Sequence, residues 1–395
     1  MANTLKFGNG QWATKVGSTL AYNDEGGNFK PLPFNFTRST SATRVNKDGL
    51  IEVVTNNKPR IDYLNDSNGV LLLEPQRTNL LLRSEEFDNA SWVKLGQGTG
   101  SVPIVTPNYA ISPDGTQNAS RLQCDLNGGN TTSDRSWLYQ SITDVVVQST
   151  FSLYVKNISS ETIIFTLNNG SSGTVSVPAD SQWHRLYSVK TGGAQPRIGL
   201  IGGVGASDNA DLLIWGSQIE AGSYATSYIP TQGAISTRVD DACSQTTPSG
   251  IIGQTEGTLF VNAKLVSNTS SVFCLHENTT NNNRILILYN STANQITFYI
   301  EKAGVIQVNS TFSTPLLSNS FVKCAFVYNT NNCAFFINGI KVGTDIVCET
   351  FTGTTISRLS LSNATGSSPF VGDLKNLQLY NTALTDAELI NLTTI

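Results

Sequence analysis

Apolar and polar residues alternate at a period of two along most of this chain. Phe151, Leu153 and Val155 interleave with Ser152, Tyr154 and Lys156; Ile163, Phe165 and Leu167 repeat the pattern. Trp183, Arg185 and Tyr187 alternate with His184, Leu186 and Ser188, and Leu259, Val261, Ala263 and Leu265 do so near the C-terminal third. A period of two predicts strands with one buried face. Arg284 to Tyr289 is a continuous apolar run and predicts a strand too. Tight turns separate these runs at Lys302-Ala303-Gly304, at Asn329 to Asn332 and at Asn338-Gly339, the last a two-residue pair suited to the right-handed twist of a hairpin. One helix is expected, just before the C-terminus, where Thr385 and Glu388 have capping-box spacing. The predicted fold class is all-β, an irregular N-terminal region followed by two β-sandwich (jelly-roll) domains.

The spacing of apolar residues divides the chain further. Residues 1–81 hold short apolar pieces broken by Gly8-Asn9-Gly10, Gly26-Gly27-Asn28 and Pro31-Leu32-Pro33, too few to form a core of their own. This region is expected to wrap on neighbours, other copies of the chain among them. Residues 82–240, with turn signals every 8 to 12 residues, read as a jelly roll. Residues 241–256, with Pro248 and Gly250, read as a polar linker, and 257–395 as a second sandwich.

Composition narrows the function. Charged residues make up 14% of the 395, against roughly 25% in ordinary soluble domains, and Asn, Ser, Thr and Gly take their place. The net charge of −4 comes without a basic block, so phosphate neutralisation and nucleic-acid binding are not expected. No segment has the length and apolarity of a membrane span, and the N-terminus lacks a signal-like run, so neither membrane insertion nor export by a leader is expected. Six cysteines, at 124, 243, 274, 324, 333 and 348, show no CxxC spacing and are expected as buried thiols.

Catalytic chemistry finds little to work with. The two histidines, His184 and His276, are far apart, and no HExxH, GxSxG or P-loop spacing occurs. Glycoside hydrolysis needs two carboxylates facing across a cleft, whereas Glu85/Glu86 and Asp240/Asp241 are sequence neighbours that a strand would point apart. No catalytic residue is expected, and the chain is not expected to be an enzyme. Binding of a glycan suits the composition better, through aromatic faces and amide hydrogen bonds. Trp183 and Trp215 sit in alternating strands and read as core. Trp137 follows Thr131-Thr132-Ser133-Asp134-Arg135-Ser136, reads as loop-borne, and is the candidate glycan platform, with core or interface packing as the competing reading.

Two stretches carry resemblances to known families. The run Ala334 to Gly343, with its Asn338-Gly339 hairpin, and the run Phe370 to Leu389, with Gly372-Asp373-Leu374 and Ala383-Leu384-Thr385-Asp386-Ala387-Glu388-Leu389, resemble the laminin G-like/concanavalin A-like superfamily. Arg38 to Val45, Gly49 to Glu52, Pro59-Arg60-Ile61-Asp62-Tyr63, Leu72 to Leu81, Ser84 to Phe87 and Gln218 to Thr231 resemble bacteriophage structural proteins of the head-fibre, tail-fibre or spike kind. The middle block also resembles a carbohydrate-binding-module jelly roll. These resemblances imply a homotrimeric appendage on the virion surface, made in the host cytoplasm. It would be anchored to capsid or tail proteins by residues 1–81 and would meet a host cell-surface glycan through the C-terminal sandwich. A capsid decoration protein without a receptor, and a bacterial surface glycan-binding protein, are the alternatives. The jelly-roll resemblance also implies a structural Ca²⁺ joining the first and last strands, for which Glu86, Asp88 and Asp211 are the candidate ligands.

Overall fold

A computed structural model describes residues 5–25, 28–142, 148–169, 173–192, 195–246, 250–265, 270–277, 280–290, 292–314 and 320–395. The chain forms two compact units that do not follow chain order. One combines residues 1–41, 54–75 and 239–395; the other combines 42–53 and 76–238.

The composite unit is a two-layered β-sandwich. In one layer the strand Glu256–Leu265 pairs with Val322–Asn329 on one side and Gly372–Tyr380 on the other. Beyond Val322–Asn329 come Cys333–Ile337 and Ile340–Asp345. The second layer runs Val305–Ser313, Gln295–Lys302, Arg284–Asn290, Ser270–His276 and Arg358–Ser360, all antiparallel neighbours. Leu259 and Val261 of the first layer and Phe273, Ile287 and Phe298 of the second meet in one core. The inward faces are those that the alternation marks. Asn338 and Gly339 both take positive φ, 48° and 82°, the backbone that a type I′ hairpin turn demands.

Within residues 1–81, residues 1–41 and 54–75 pack with the C-terminal sandwich of the same chain, whereas 42–53 and 76–81 belong to the central unit. Leu5–Gly8 pairs with Gly372–Tyr380, placing Leu5 opposite Leu379. Val70–Leu73 pairs with the other end of the same strand. The hairpin Ser18–Glu25 and Asn28–Thr37 continues the ladder, and Ala242–Thr246 links it to Arg358–Ser360 in the second layer. Leu5, Phe7, Phe34 and Phe36 are all at most 1% exposed inside the shared core, with Phe7 and Phe34 stacked at 4.5 Å between centroids. The segment expected as a linker therefore supplies a strand, and Ile251 and Ile252 are core residues; Pro248 lies outside the described residues.

Four charged side chains lock these segments together from within. Arg60 reaches Glu74 at 2.6 Å and Asp241 at 2.5 Å, and Arg38 reaches the other Asp241 oxygen at 3.0 Å. Arg38 also donates to the carbonyls of Thr40, Thr55 and Lys58, and the Glu74 amide donates to Asp241. Two cations face two anions, all but excluded from water. Burial alone would favour a neutral Arg60, but the Asp241 and Glu74 carboxylates outweigh it and raise its pKa. Arg38, Arg60 and Glu74 come from three of the stretches that carry the appendage resemblance, so the part of that signal they supply is architectural.

The C-terminal helix Asp386–Thr393 starts with the expected capping box between Thr385 and Glu388. Its Leu389, with Leu384, covers Phe260, Phe336 and Tyr380 on the side of the first layer away from the main core.

The central unit is a second sandwich of two five-stranded sheets. Leu122, Leu138, Phe151, Leu153, Val155, Phe165 and Ile214 fill the space between them. Trp215, expected as core, packs with Ile51, Ala119 and Tyr228 in a smaller cluster. Asn79 sits wholly buried, donating to the carbonyls of Ser217 and Ile229 and accepting from the amides of Leu81 and Ile219. Glu220, also buried, accepts from Gln218 and Thr226.

Candidate functional site

The second layer of the composite sandwich turns apolar residues outward as well as inward. Its register aligns Cys274, Leu286, Tyr299 and Asn309 in one row across four strands, and Val272, Leu288, Thr297 and Thr311 in the next. Val272, Cys274 and Leu286 form an apolar cluster separate from the core, against which Leu288 and Tyr299 pack. Strands with apolar residues on both faces read as the continuous run seen at Arg284 to Tyr289. The sequence therefore carried the signal of a second apolar surface there, although a continuous run equally describes a strand buried on both sides.

This surface floors a cleft of ≈ 400 Å³, also lined by Ser270, Arg284, Thr297, Asn309, Asn363 and Ser368. The Arg284 guanidinium lies over the Tyr299 ring, 5.1 Å from its centroid. Glu301 holds both groups: its carboxylate accepts from Arg284 Nε at 3.0 Å and from the Tyr299 hydroxyl at 3.0 Å. Burial, reinforced by Glu301, raises the Tyr299 phenol's pKa, so it stays a neutral donor. Asn363 Oδ1 is buried without a hydrogen-bond partner, an acceptor that is costly to leave unmet. The arrangement offers an apolar floor, a fixed cation–aromatic pair and a rim of amides and hydroxyls. Such a surface suits a ligand with alternating CH faces and hydroxyls.

The expected glycan platform is not where its sequence context placed it. The polar run before Trp137 ends at Asp134, whose carboxylate accepts from the amides of Thr99 and Thr131 and from the Thr131 hydroxyl. These bonds hold Asp134 low, at about 2. The turn closes there, and Arg135–Tyr139 is a strand. Trp137 is 3% exposed, with the guanidiniums of Arg197 and Arg135 at 4.7 and 5.1 Å from its ring. A ring so covered presents no face to a sugar.

The three candidate calcium ligands are not assembled either. Glu86 pairs with Arg83, and Asp211 is held by Arg121 through two hydrogen bonds. Asp211 stands opposite Gln123, about five residues along the chain from Asn118, or roughly 16 Å at strand rise. Glu86 and Asp88 line the same cleft as Asn118. Among the described residues no group of three or more His, Cys, Asp or Glu side chains is arranged to hold a metal ion. The residues present do not fit a calcium bridge between first and last strands.

The adjacent carboxylates take separate duties. Glu85 accepts from the Tyr228 hydroxyl at 2.7 Å and from Asn118 at 3.0 Å; burial, with the like charges of Asp114 and Glu86, raises its pKa. Asp241 belongs to the buried ion network. His276 is buried, its Nε2 2.8 Å from Ser360 Oγ and its Nδ1 against the Glu277 carbonyl. The latter contact makes Nδ1 the protonated nitrogen, so Ser360 donates to Nε2. The bond to Ser360 ties the paired strands Ser270–His276 and Arg358–Ser360. His184 stands in the other unit, bonded to Asp180.

Comparison with known proteins gives the fold of the C-terminal part. Residues 244–390 match the family described as the concanavalin A-like lectin/glucanases superfamily. No curated protein matches the chain. Among solved structures it is similar to the CBM40 of the Ruminococcus gnavus IT-sialidase bound to α2,3-sialyllactose, at 20% identity over 36% of this chain and 84% of that one, TM-score 0.33. Domain 4 of a GH43 extracellular arabinanase from Geobacillus stearothermophilus, in complex with arabinotriose, is 14% identical over 44% and 84%, TM-score 0.31. The native heptameric SAP-like pentraxin of Limulus polyphemus is 14% identical over 36% and 70%, TM-score 0.27. The family's description spans lectins and glucanases alike, so the chemistry of this chain has to be argued from its site.

Proposed function

We propose that the composite sandwich is a glycan-binding module, and that the cleft floored by Leu286, Leu288 and Tyr299 is its ligand site. The observation that carries this reading is the Arg284–Tyr299–Glu301 assembly on an outward apolar patch, ringed by Thr297, Asn309, Asn363 and Ser368. A surface built only to be wetted has no need of an apolar floor beneath a fixed guanidinium. The reading is of binding without catalysis, because no pair of carboxylates faces another across the described residues of this cleft. A glycan-array screen of the full chain tests it. Binding should be weakened by Tyr299→Ala and unchanged by Trp137→Phe, and an array without hits, or hits indifferent to Tyr299→Ala, would overturn it.

The wider role we propose is attachment of a virion appendage to a bacterial surface, with the composite sandwich as the recognising part. It rests on the resemblance of residues 38–87 and 218–231 to phage fibre and spike proteins. Trimerisation would multiply weak single-site affinity by avidity. The full chain should bind host cells and block phage adsorption. A chain that trimerises without blocking adsorption would favour a capsid decoration role. The isolated 250–395 fragment is unsuited to this test, because Leu5, Phe7, Phe34 and Phe36 are part of its core.

A further inference from the structure

Of the six cysteines, all buried, Cys333 and Cys348 are brought together, their sulfurs 2.7 Å apart. Two thiols in ordinary van der Waals contact keep well over 3 Å between sulfurs. Both also turn toward one acceptor, the Asn329 carbonyl, at 3.6 Å from Cys333 and 3.3 Å from Cys348. They come from different elements: Cys333 opens the strand Cys333–Ile337, whereas Cys348 lies in the segment after Ile340–Asp345. The backbone bond from the Asn331 amide to the Cys348 carbonyl fixes the two elements against each other. We infer that Cys333 and Cys348 form an intramolecular disulfide when the folded chain meets an oxidising solvent, and that this bond is a covalent clasp on the composite sandwich.

The chemistry needs an oxidant, which a small-molecule disulfide of the oxidised-glutathione class supplies. The close contact between the two sulfurs draws the Cys348 thiol down and pushes Cys333 up. Cys348 is therefore the first nucleophile. It is buried itself, but Val347 beside it is 78% exposed, so a local opening of this outer turn suffices to admit the reagent. The Cys348 thiolate attacks one sulfur of the reagent and releases one thiolate. That thiolate takes the Cys333 proton; Cys333 then attacks Cys348 Sγ and expels the second half of the reagent. Two protein thiols and one disulfide become one protein disulfide and two small thiols. The closed loop spans 15 residues, long enough for a useful loss of freedom in the unfolded chain.

The test oxidises the native full chain with oxidised glutathione, quenches with acid, and labels with maleimide in denaturant. Four labels are expected, rising to six after reduction, with a non-reduced peptide joining Cys333 to Cys348 in the mass spectrum. Oxidation should raise the melting temperature of the composite unit by roughly 5–10 °C. Neither Cys333→Ser nor Cys348→Ser should show such a rise; Cys348→Ser should take five labels without reduction, and Cys333→Ser should stop at the mixed disulfide, with a glutathione adduct on Cys348 in the mass spectrum and four labels. Six labels on the oxidised wild-type chain, or a cross-link joining any other pair or two chains, would overturn the inference; labelling in denaturant reads these outcomes even for a variant that folds poorly.

Discussion

The two sandwiches both place a guanidinium on an aromatic ring, and the outcome is opposite. In the central unit Trp137 lies under two guanidiniums and is sealed from solvent. In the composite unit Tyr299 carries one, tied back by Glu301, and lies on the floor of an open cleft. A cation–aromatic contact is therefore not by itself a mark of a binding site. What separates the two is the layer behind the ring. The row of Tyr299 continues through Leu286 and Cys274, both buried, on the face of the layer away from the main core, with Tyr299 itself part-exposed, whereas Trp137 sits between strand neighbours Leu95 and Gly199, and a Cβ at Gly199 would come within 2.5 Å of the Trp137 Cα. One ring is a floor; the other is packing.

The sharpest way to break the comparison is to unfold one unit and not the other. Asp241→Ala leaves Arg38 and Arg60 buried without their shared carboxylate and should cost the composite unit about 3–5 kcal/mol. Hydrogen exchange read by mass spectrometry should show residues 239–395 opening and residues 76–238 unchanged. Trp137→Ala should reverse the pattern, destabilising the central unit by about 3–4 kcal/mol through the cavity it leaves, with glycan affinity unaltered in calorimetry. Tyr299→Ala should weaken glycan binding by about 1–2 kcal/mol, roughly five- to thirty-fold, with little change in the denaturation midpoint. If Trp137→Ala abolished binding and Tyr299→Ala did not, the two rings would have exchanged roles.

The last effect concerns pH. Asp373, beside Gly372 in the strand shared by three chain segments, is pushed up to about 6 by burial, against the pull of Lys264 and with Asp62 adding to the rise. Its carboxyl in the unfolded chain titrates near 4. Because the folded state holds this proton more tightly, the stabilisation it brings is complete below pH 4 and disappears as the pH rises through 6. Asp373→Asn should remove that decline, worth about 2 kcal/mol, so that its midpoint changes less than the wild type's between pH 4 and pH 7 in urea titrations.

How much of this could be read in advance depended on the range of the interactions. Strand alternation, the Asn338-Gly339 turn and the Thr385 cap are set by residues a few positions apart, and each appears where the sequence placed it. The outward apolar face was half legible: Leu286 and Leu288 break the alternation, but no local rule says whether the second face meets solvent or another layer. Trp137 was misplaced because the polar run before it is a turn closed by the Asp134 carboxylate, which reaches back to Thr99, 35 residues away.

By itself, then, the sequence determined an all-β chain, the faces of its strands, and the concanavalin A-like end of it. The tertiary structure alone decided that residues 1–41 and 54–75 belong to the C-terminal sandwich, that Asp241 meets Arg38 across 203 positions, and that Trp137 is packing while Tyr299 is surface. The physical reason is common to all three. A strand's two faces are fixed by its own side chains, but its neighbour is chosen by hydrogen-bond ladders and buried charge pairs, which couple residues at separations that no periodicity records.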